Sequence, residues 1–330
     1  MRDSENRFAR GGESLSHRSL NQRTIREPVY GIGVGVHSGE KVRITLRPAK
    51  PNAGICFLRT DVRGAKAIPA SAEHVADTTL ATSVALDSVN VATVEHLMSA
   101  LWGLGIDNLI VELSAEEVPI MDGSSAPFID MIDSVGVVEQ DQARQFIRIT
   151  RKVEVNQEDA LASVSPYDGF KAEYTFVANH PVYDQYPKYV EMDFANDSYI
   201  EHVSGARSFG LEKELAYAQS IQKCLGSSLD NAVGLSDEGV LNREGLRYSD
   251  EFVKHKLLDA IGDLYLLGKP ILGAFSGYKS GHALNNKLAR AILRCDDAWE
   301  IVTLKADIQS GAGMPILHGQ IYSEVNLSRG

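Results

Sequence analysis

The chain has 330 residues and a formal net charge of −11, with 44 % apolar and 23 % charged residues. This composition is typical of a soluble globular protein, and the length exceeds what one hydrophobic core usually supports, so we expect two domains. The acidic balance argues against nucleic-acid binding, which needs a basic surface. An anionic ligand would therefore have to be held by a local group of Lys and Arg side chains.

The cysteines and the hydropathy pattern indicate a cellular location. Three cysteines without a CxxC pair favour neither a disulfide framework nor a thiolate zinc site, and they suit a reducing cytoplasm. No secretory signal is predicted, and the most apolar region, residues 257–275, is interrupted by Asp259, Asp263, Lys269 and Pro270. The sequence thus predicts a cytoplasmic protein without an integral membrane segment, and we expect a monomer.

The first half of the chain contains alternating and helical patterns. Residues 1–22 are polar and without an apolar period, which predicts a disordered N-terminal extension. KVRITLRP (41–48) alternates as a half-buried strand does, and TVEHLMSALWGLG (93–105) has helical spacing and ends at a glycine turn. NLIVEL (108–113) is predicted to be a strand and APFIDMIDSVG (126–136) a helix.

The second half begins after a polar stretch, residues 138–145, which predicts a linker. The elements predicted beyond it are the strands FIRITRKVEV (146–155) and FKAEYTFVA (170–178), a helix over about 249–267, the strand PILGAFSGY (270–278) and the helix HALNNKLARAIL (282–293).

The two halves resemble each other. A helix, a glycine turn and a strand follow in this order from His96, and again from His255. This similarity suggests a duplicated α/β unit in which each copy places a histidine at a similar point. A site between the two domains could then collect side chains from both.

A polar stripe on the second of these helices suggests a metal site. His255, Asp259 and Asp263 are spaced four residues apart, so they are neighbours on one face of a mostly apolar helix. Buried ionisable groups are costly unless they are paired or bind a metal, and zinc accepts both nitrogen and oxygen ligands. The alternative for His255 and Asp259 is an ordinary surface ion pair.

Glu95 and His96 are a second candidate pair. Adjacent helical residues point about 100° apart, so His96 could be a metal ligand while Glu95 lies over a bound water. The alternative is a glutamate favoured by the helix dipole beside a core histidine. With His255 and Asp259, His96 would give three protein ligands and an open fourth position, as in a catalytic zinc site, and Glu95 could act as general base.

Other polar residues could complete such a site, although each has a plainer alternative. His282 could act as general acid if a carboxylate such as Asp263 stabilises its charge, or it could simply begin a helix. Lys256 and Lys279 could hold phosphate, or they could lie on a solvated face. Ser208 could donate a hydrogen bond to an oxyanion, or it could be a turn serine.

Together, these segments resemble the UDP-3-O-acyl-N-acetylglucosamine deacetylases, the zinc amidases of bacterial lipid A synthesis. The similar stretches span roughly residues 23–303 in order: GVHSGEKV, TVEHLMSALWGLGIDNLIVE, EVPIMDGSSAPF, GARSFG, VLNREGLRYSDEFVKHKLLDAIGDL and GAFSGYKSGHALNNKL.

The resemblance implies an α+β fold of two similar domains, each a small β-sheet packed against two α-helices and each with an insert, with the active site between them. The implied domains are 23–140 and 146–307, followed by a C-terminal tail (308–330) that matches nothing in the family pattern. The insert of the second domain, about 206–235, is implied to form an apolar passage for the fatty acyl chain, lined by Leu211, Leu215, Cys224 and Ala232.

The resemblance also assigns roles to individual residues. It implies that His96, His255 and Asp259 are the zinc ligands, Glu95 the general base and His282 the general acid, supported by Asp263. It places Lys256 and Phe209 near the substrate and Lys279 towards the UDP group. Ser208 occupies the position of an oxyanion-stabilising threonine, so the hydroxyl is kept and the methyl group is lost.

The implied function is zinc-dependent hydrolysis of the 2-acetamido group of UDP-3-O-acyl-N-acetylglucosamine by a metal-activated water. The nitrogen and oxygen ligands would accept ferrous iron as well as zinc. Two alternatives are a zinc amidohydrolase for another N-acyl substrate and a non-catalytic nucleotide-sugar binding protein. Because the product is lipidic, peripheral membrane contact is compatible with this function.

Overall fold

The computed structural model describes residues 20–304 and the backbone of residues 322–323. The predicted N-terminal extension therefore lies outside the described residues up to residue 19, and so does most of the predicted tail. Asn21 and Gln22 belong to a β-strand, so the prediction of disorder is wrong for these two residues. The division into domains at 140 and 146 stays a prediction.

Six α-helices lie in the described residues, and the sequence predicts four of them, at 95–104, 126–135, 251–265 and 282–294. The six helices are α1 (Glu95–Leu104), α2 (Ala126–Val135), α3 (Tyr199–His202), α4 (Glu212–Ser220), α5 (Glu251–Tyr265) and α6 (His282–Arg294), with short 3-10 helices at Ala72–His74 and Pro181–Gln185.

The strands of the first half are β1 (Asn21–Ile25), β2 (Val29–Val34), β3 (Lys41–Pro48), β4 (Ile55–Arg59), β5 (Ile68–Pro69), β6 (Val75–Asp77), β7 (Ser83–Leu86), β8 (Val89–Val91), β9 (Leu109–Leu113) and β10 (Val137–Ala143). Those of the second half are β11 (Gln145–Ile149), β12 (Val153–Gln157), β13 (Ala160–Ser165), β14 (Phe170–Thr175), β15 (Tyr189–Asp193), β16 (Phe209–Leu211), β17 (Val233–Leu235), β18 (Ile271–Tyr278), β19 (Trp299–Thr303) and β20 (Tyr322–Ser323).

The first half is built on a five-stranded sheet in the order β2-β3-β9-β4-β5. Strand β3 pairs antiparallel with β2 and β9, whereas β9 pairs parallel with β4. Val42, Ile44 and Leu46 of β3 are fully buried, as their alternation predicts. A separate three-stranded sheet, β6-β7-β8, leads into α1.

The second half is built around β18 in an eight-stranded sheet. Strand β18 pairs antiparallel with β13 and parallel with β14 and β11. The helix–turn–strand similarity predicted from sequence is confirmed: α1 leads through Gly105 to β9, and α5 leads through Gly268 to β18. Both glycines have positive φ, 65° and 80°, a conformation that favours glycine at the end of a helix.

The two halves meet along α1 and α5, which pack against each other. Buried side chains of both helices, including Leu97, Leu101, Leu257 and Ile261, belong to one continuous hydrophobic cluster. The predicted α+β class with two similar sheet-and-helix units is confirmed. The α1–α5 contact brings the conspicuous polar residues of the two helices together.

Two sequence predictions between the halves are wrong. The polar stretch 138–145 is not an irregular linker, because most of it forms β10, which pairs antiparallel with β1. Its polar residues were misleading because one of them, Gln140, is held by Asn108 and the carbonyl of Ala49. The segment 146–155, predicted as one strand, is divided between β11 and β12.

No helix in the described part of the chain is long and apolar enough to cross a membrane.

Candidate active site

Three predicted metal ligands converge at the α1–α5 contact. The Nε2 atoms of His96 and His255 lie 3.4 and 3.5 Å from Oδ1 of Asp259. One ligand atom from each residue lies within 4.8 Å of the other two, and all three side chains are buried. His255 and Asp259 are one turn apart on α5, whereas His96 comes from α1, so the cluster depends on the docking of the two halves.

This geometry fits a metal ion. A tetrahedral ion with ligands at about 2.1 Å separates those ligands by about 3.4 Å, close to the distances found. Oδ1 of Asp259 is buried and receives no hydrogen bond from the described residues, while Oδ2 accepts one from Lys256 Nζ at 2.6 Å. An oxygen left without a donor between two imidazole nitrogens is what a cation site requires.

The protonation states of the cluster also suit metal binding. Nδ1 of His255 lies 3.0 Å from the carbonyl oxygen of Ala206, and since a carbonyl only accepts, Nδ1 carries the hydrogen and Nε2 is left as the ligand atom. Burial lowers the pKa of His255 to about 4. Burial alone would raise the pKa of Asp259, but His255 and Lys256 outweigh it and hold this pKa well below its usual value. A neutral imidazole and a carboxylate are the forms that bind metals.

Glu95 and His282 face each other beside this cluster. Oε1 of Glu95 lies 3.7 Å from Nε2 of His282, and Nδ1 of His282 donates a hydrogen bond to Oδ2 of Asp263 at 2.9 Å. Glu95 is at the first position of α1 and His282 at the first position of α6, so both side chains project from helix ends.

The pKa values of both groups are raised, but for different physical reasons. Burial raises the pKa of Glu95. Burial would lower the pKa of His282, but the negative charges of Asp263 and Glu95 outweigh it and raise this pKa to about 9. At neutral pH His282 is therefore an imidazolium with a proton to give, and it faces Glu95, the candidate proton acceptor.

The site opens into a cavity of about 590 Å³. The segment 206–235 contributes much of its wall, in a small unit of β16, β17 and α4. The wall includes all four residues predicted to line the acyl passage, which are Leu211, Leu215, Cys224 and Ala232. Ser208, Phe209 and Lys256 also belong to this wall. Phe209 also makes an edge-to-face contact with the His255 ring, at 5.9 Å between ring centroids.

Lys279, like Asp263, is a predicted site residue that lies outside this cavity wall. Its ammonium group pairs with Asp159, with an Nζ–Oδ2 distance of 2.7 Å. The described structure thus gives Lys279 a carboxylate partner in the turn between β12 and β13. Its suggested role near the UDP group stays a prediction.

Sequence reasoning missed several buried residues that hold the site. Asp263 also accepts hydrogen bonds from Thr82 Oγ1 at 2.6 Å and from Asn285 Nδ2 at 2.9 Å. The Arg207 side chain and backbone N–H both donate to Glu251 at the start of α5, at 2.8 and 3.1 Å. This buried pair fixes the loop that carries Ser208. Arg207 and Asn285 lie inside the sequence motifs that resemble the deacetylase family, whereas none of those motifs includes Thr82.

A family model for UDP-3-O-acyl N-acetylglycosamine deacetylases matches residues 22–294. The chain belongs to this family. The UDP-3-O-acyl-N-acetylglucosamine deacetylase of Chromohalobacter salexigens is 51 % identical over 291 residues, which cover 88 % of this chain and 96 % of that protein. The proteins of the same name from Thioalkalivibrio sulfidiphilus and Hahella chejuensis are 49 % and 50 % identical, over 91 % and 87 % of this chain and 98 % and 95 % of their own.

Membership of the deacetylase family confirms the resemblance drawn from the sequence motifs. It makes the chain a hydrolytic amidase, so the reading as a non-catalytic binding protein is set aside. The convergent His96, His255 and Asp259 cluster gives this family member a group that could hold a metal ion.

Proposed function

We propose that this protein is a zinc-dependent hydrolase that removes the 2-acetyl group of UDP-3-O-acyl-N-acetylglucosamine in lipid A biosynthesis. Acetate and UDP-3-O-acyl-glucosamine are the products. The observation that carries the proposal is the opposition of Glu95 and His282 beside the His96, His255 and Asp259 cluster. We take the proposed substrate from the names of the relatives, which align with most of this chain.

The residues divide the proposed reaction among them. A zinc ion bound by the two histidines and Asp259 would polarise the amide carbonyl and lower the pKa of a water molecule. Glu95 would accept the proton of the attacking water. Ser208, in the cavity wall, would donate a hydrogen bond to the developing oxyanion.

His282 would then protonate the departing nitrogen. An amide nitrogen is a poor leaving group unless it gains a proton, and Nε2 of His282 is the ring nitrogen that Asp263 does not occupy. Asp263 keeps the imidazolium charged and oriented. General acids and bases of this kind each contribute about a hundred- to ten-thousand-fold to rate.

The apolar residues of segment 206–235 would hold the 3-O-acyl chain. Leu211, Leu215 and Ala232 line the same cavity as the proposed catalytic groups, so a chain bound there would place its sugar near them. Lys256 and Phe209 share this wall and would contact the sugar end, with Lys279 towards the UDP group. We further propose a cytoplasmic monomer that meets the membrane at most peripherally.

The test is deacetylation of UDP-3-O-acyl-N-acetylglucosamine by metal-stripped protein titrated with zinc. Activity should rise to a maximum near one equivalent of zinc and should fall strongly on a substrate without the acyl chain. Ferrous iron is titrated in parallel under anaerobic conditions, because the ligand set accepts both ions. Bound zinc without deacetylation would contradict the proposal, and equal rates with and without the acyl chain would favour another N-acyl substrate.

A further inference from the structure

Thr82 is a buried residue of the first half that contacts two proposed catalytic groups. It lies immediately before β7, and its side chain is almost fully enclosed. Its backbone N–H donates to Oε2 of Glu95 at 3.0 Å. Its hydroxyl donates to Oδ1 of Asp263 at 2.6 Å. One residue therefore connects the proposed base to the carboxylate that supports the proposed acid.

The hydrogen bonds to Asp263 come from two directions. Oδ2 accepts from His282 Nδ1 and Asn285 Nδ2, both on α6 and both at 2.9 Å. Oδ1 accepts from Thr82, on the other half of the molecule. The terminal torsion of an aspartate is broad and roughly twofold, so bonds to one oxygen alone leave the carboxylate free to turn. Donors to both oxygens fix its plane.

The geometry points to Thr82 as a positioning residue for proton transfer. We propose that its hydroxyl sets the plane of the Asp263 carboxylate and so fixes the direction in which His282 presents its Nε2 proton. Its backbone N–H at the same time holds Oε2 of Glu95, so that Oε1 faces His282. This inference rests on the function proposed above and adds to it a residue that does not touch the substrate cavity.

The role of the Thr82 hydroxyl can be tested separately from that of its backbone N–H. In Thr82→Val a methyl group replaces the hydroxyl at nearly the same volume, and the N–H to Glu95 remains. Thr82→Ser keeps the hydroxyl and loses the methyl group. If the hydroxyl matters, the valine variant is impaired and the serine variant is close to wild type; if only packing matters, the order is reversed.

We expect Thr82→Val to lower kcat by about 10- to 100-fold, because small misplacements of a reacting group cost up to about a hundredfold. KM should change by less than about threefold and bound zinc should stay near one equivalent, since Thr82 lies outside the cavity wall and its hydroxyl bonds to Asp263 rather than to a candidate metal ligand. Thr82→Ser should recover kcat to within about threefold of wild type.

A double-mutant cycle tests whether Thr82 acts through Asp263. In an Asp263→Asn background, Thr82→Val should cost less than about twofold further, because the carboxylate it orients is gone. If the losses in kcat of the two single variants multiply in the double variant, the proposal is overturned. It is also overturned if Thr82→Val has the kcat of wild type, or if Thr82→Ser is as impaired as Thr82→Val.

A crystal structure of Thr82→Val supplies a readout that does not depend on turnover. A rotated Asp263 carboxylate or a displaced His282 ring supports the proposal, and unchanged positions of both overturn it. Thr82→Ala serves the same purpose if the valine variant does not fold. Wild-type protein that binds zinc without deacetylating would count against the proposed function, while this structural comparison would still decide the role of Thr82.

Discussion

Gly262 of α5 lies against the backbone of Glu95 of α1 so closely that a Cβ atom at position 262 would be 2.0 Å from the Glu95 carbonyl oxygen. The contact sets the separation of the two helices that carry the candidate metal ligands. It lies one residue before Asp263 and three after Asp259, so a shift here reaches the whole site.

We therefore expect Gly262→Ala to impair the enzyme although alanine is the better helix former. The added methyl group must push α1 away from α5, at a cost of about 1–3 kcal/mol in the free energy of unfolding, as for other overpacked cores. Activity and zinc affinity should fall together. Thermal denaturation, zinc titration and turnover measure these effects, and a variant as stable and active as wild type would show that the helices adapt without cost.

Removal of the proposed base or acid should abolish most turnover without loss of the metal. Glu95→Ala and His282→Ala should each lower kcat by about 10²- to 10⁴-fold, because each removes one proton-transfer step. Bound zinc, measured by elemental analysis, should remain near one equivalent. His202→Ala removes an exposed histidine far from the cluster in sequence and serves as the control. Near-normal activity in either variant would exclude that residue from the mechanism.

The raised pKa of His282 predicts the alkaline side of the pH–rate profile. His282 gives a proton only when it is charged, so activity that depends on it is present below its pKa of about 9 and is lost as pH rises through that value. Asp263→Asn removes a negative charge that raises this pKa, so the alkaline fall should move to lower pH. Profiles of kcat against pH for both proteins measure the shift, and coincident alkaline limbs would contradict it.

Zinc should stabilise the folded protein through the three-residue cluster. A ligand that binds the native state alone contributes about 2.7 kcal/mol at a hundred times its Kd, which raises Tm by several degrees in a protein of this size. Asp259→Asn keeps the shape of the side chain but removes the carboxylate, so zinc should raise its Tm much less. Equal shifts in Tm for both proteins would show that the stabilising ion binds elsewhere.

The wall of segment 206–235 should determine which acyl chains are accepted. Ala232→Phe fills part of the cavity, so kcat/KM should fall more for long-chain than for short-chain substrates, by up to about 0.8 kcal/mol for each methylene group displaced. Tyr217→Phe is the control, because Tyr217 lies exposed on α4 outside the cavity wall. A uniform loss over all chain lengths would argue against an acyl passage here.

Sequence reasoning was most successful where possible ligand and acid–base residues recur at the spacing of a helical turn. His255, Asp259 and Asp263 repeat every four residues, so one helix already defines their common face. His96 was grouped with these residues because a helix, a turn and a strand follow in the same order in both halves. The packing of α1 against α5 confirms that His96 lies beside His255 and Asp259.

What the sequence could not predict depends on contacts between distant segments. Thr82 and Asp263 are 181 residues apart, and no spacing or local motif connects a threonine before a short strand to an aspartate on a distant helix. Strand β10 was missed for a similar reason, because its polar residues are satisfied by partners such as Asn108 that only the folded structure supplies.

The three candidate metal ligands are divided between α1 and α5, and this division has a consequence for assembly. Neither half of the chain carries a complete ligand set, since His96 belongs to one and His255 and Asp259 to the other. An ion that binds here would therefore gain its full coordination only after the halves have docked. Such an ion would act as a cross-link between the two halves, joining residues 96 and 255 across the α1–α5 contact.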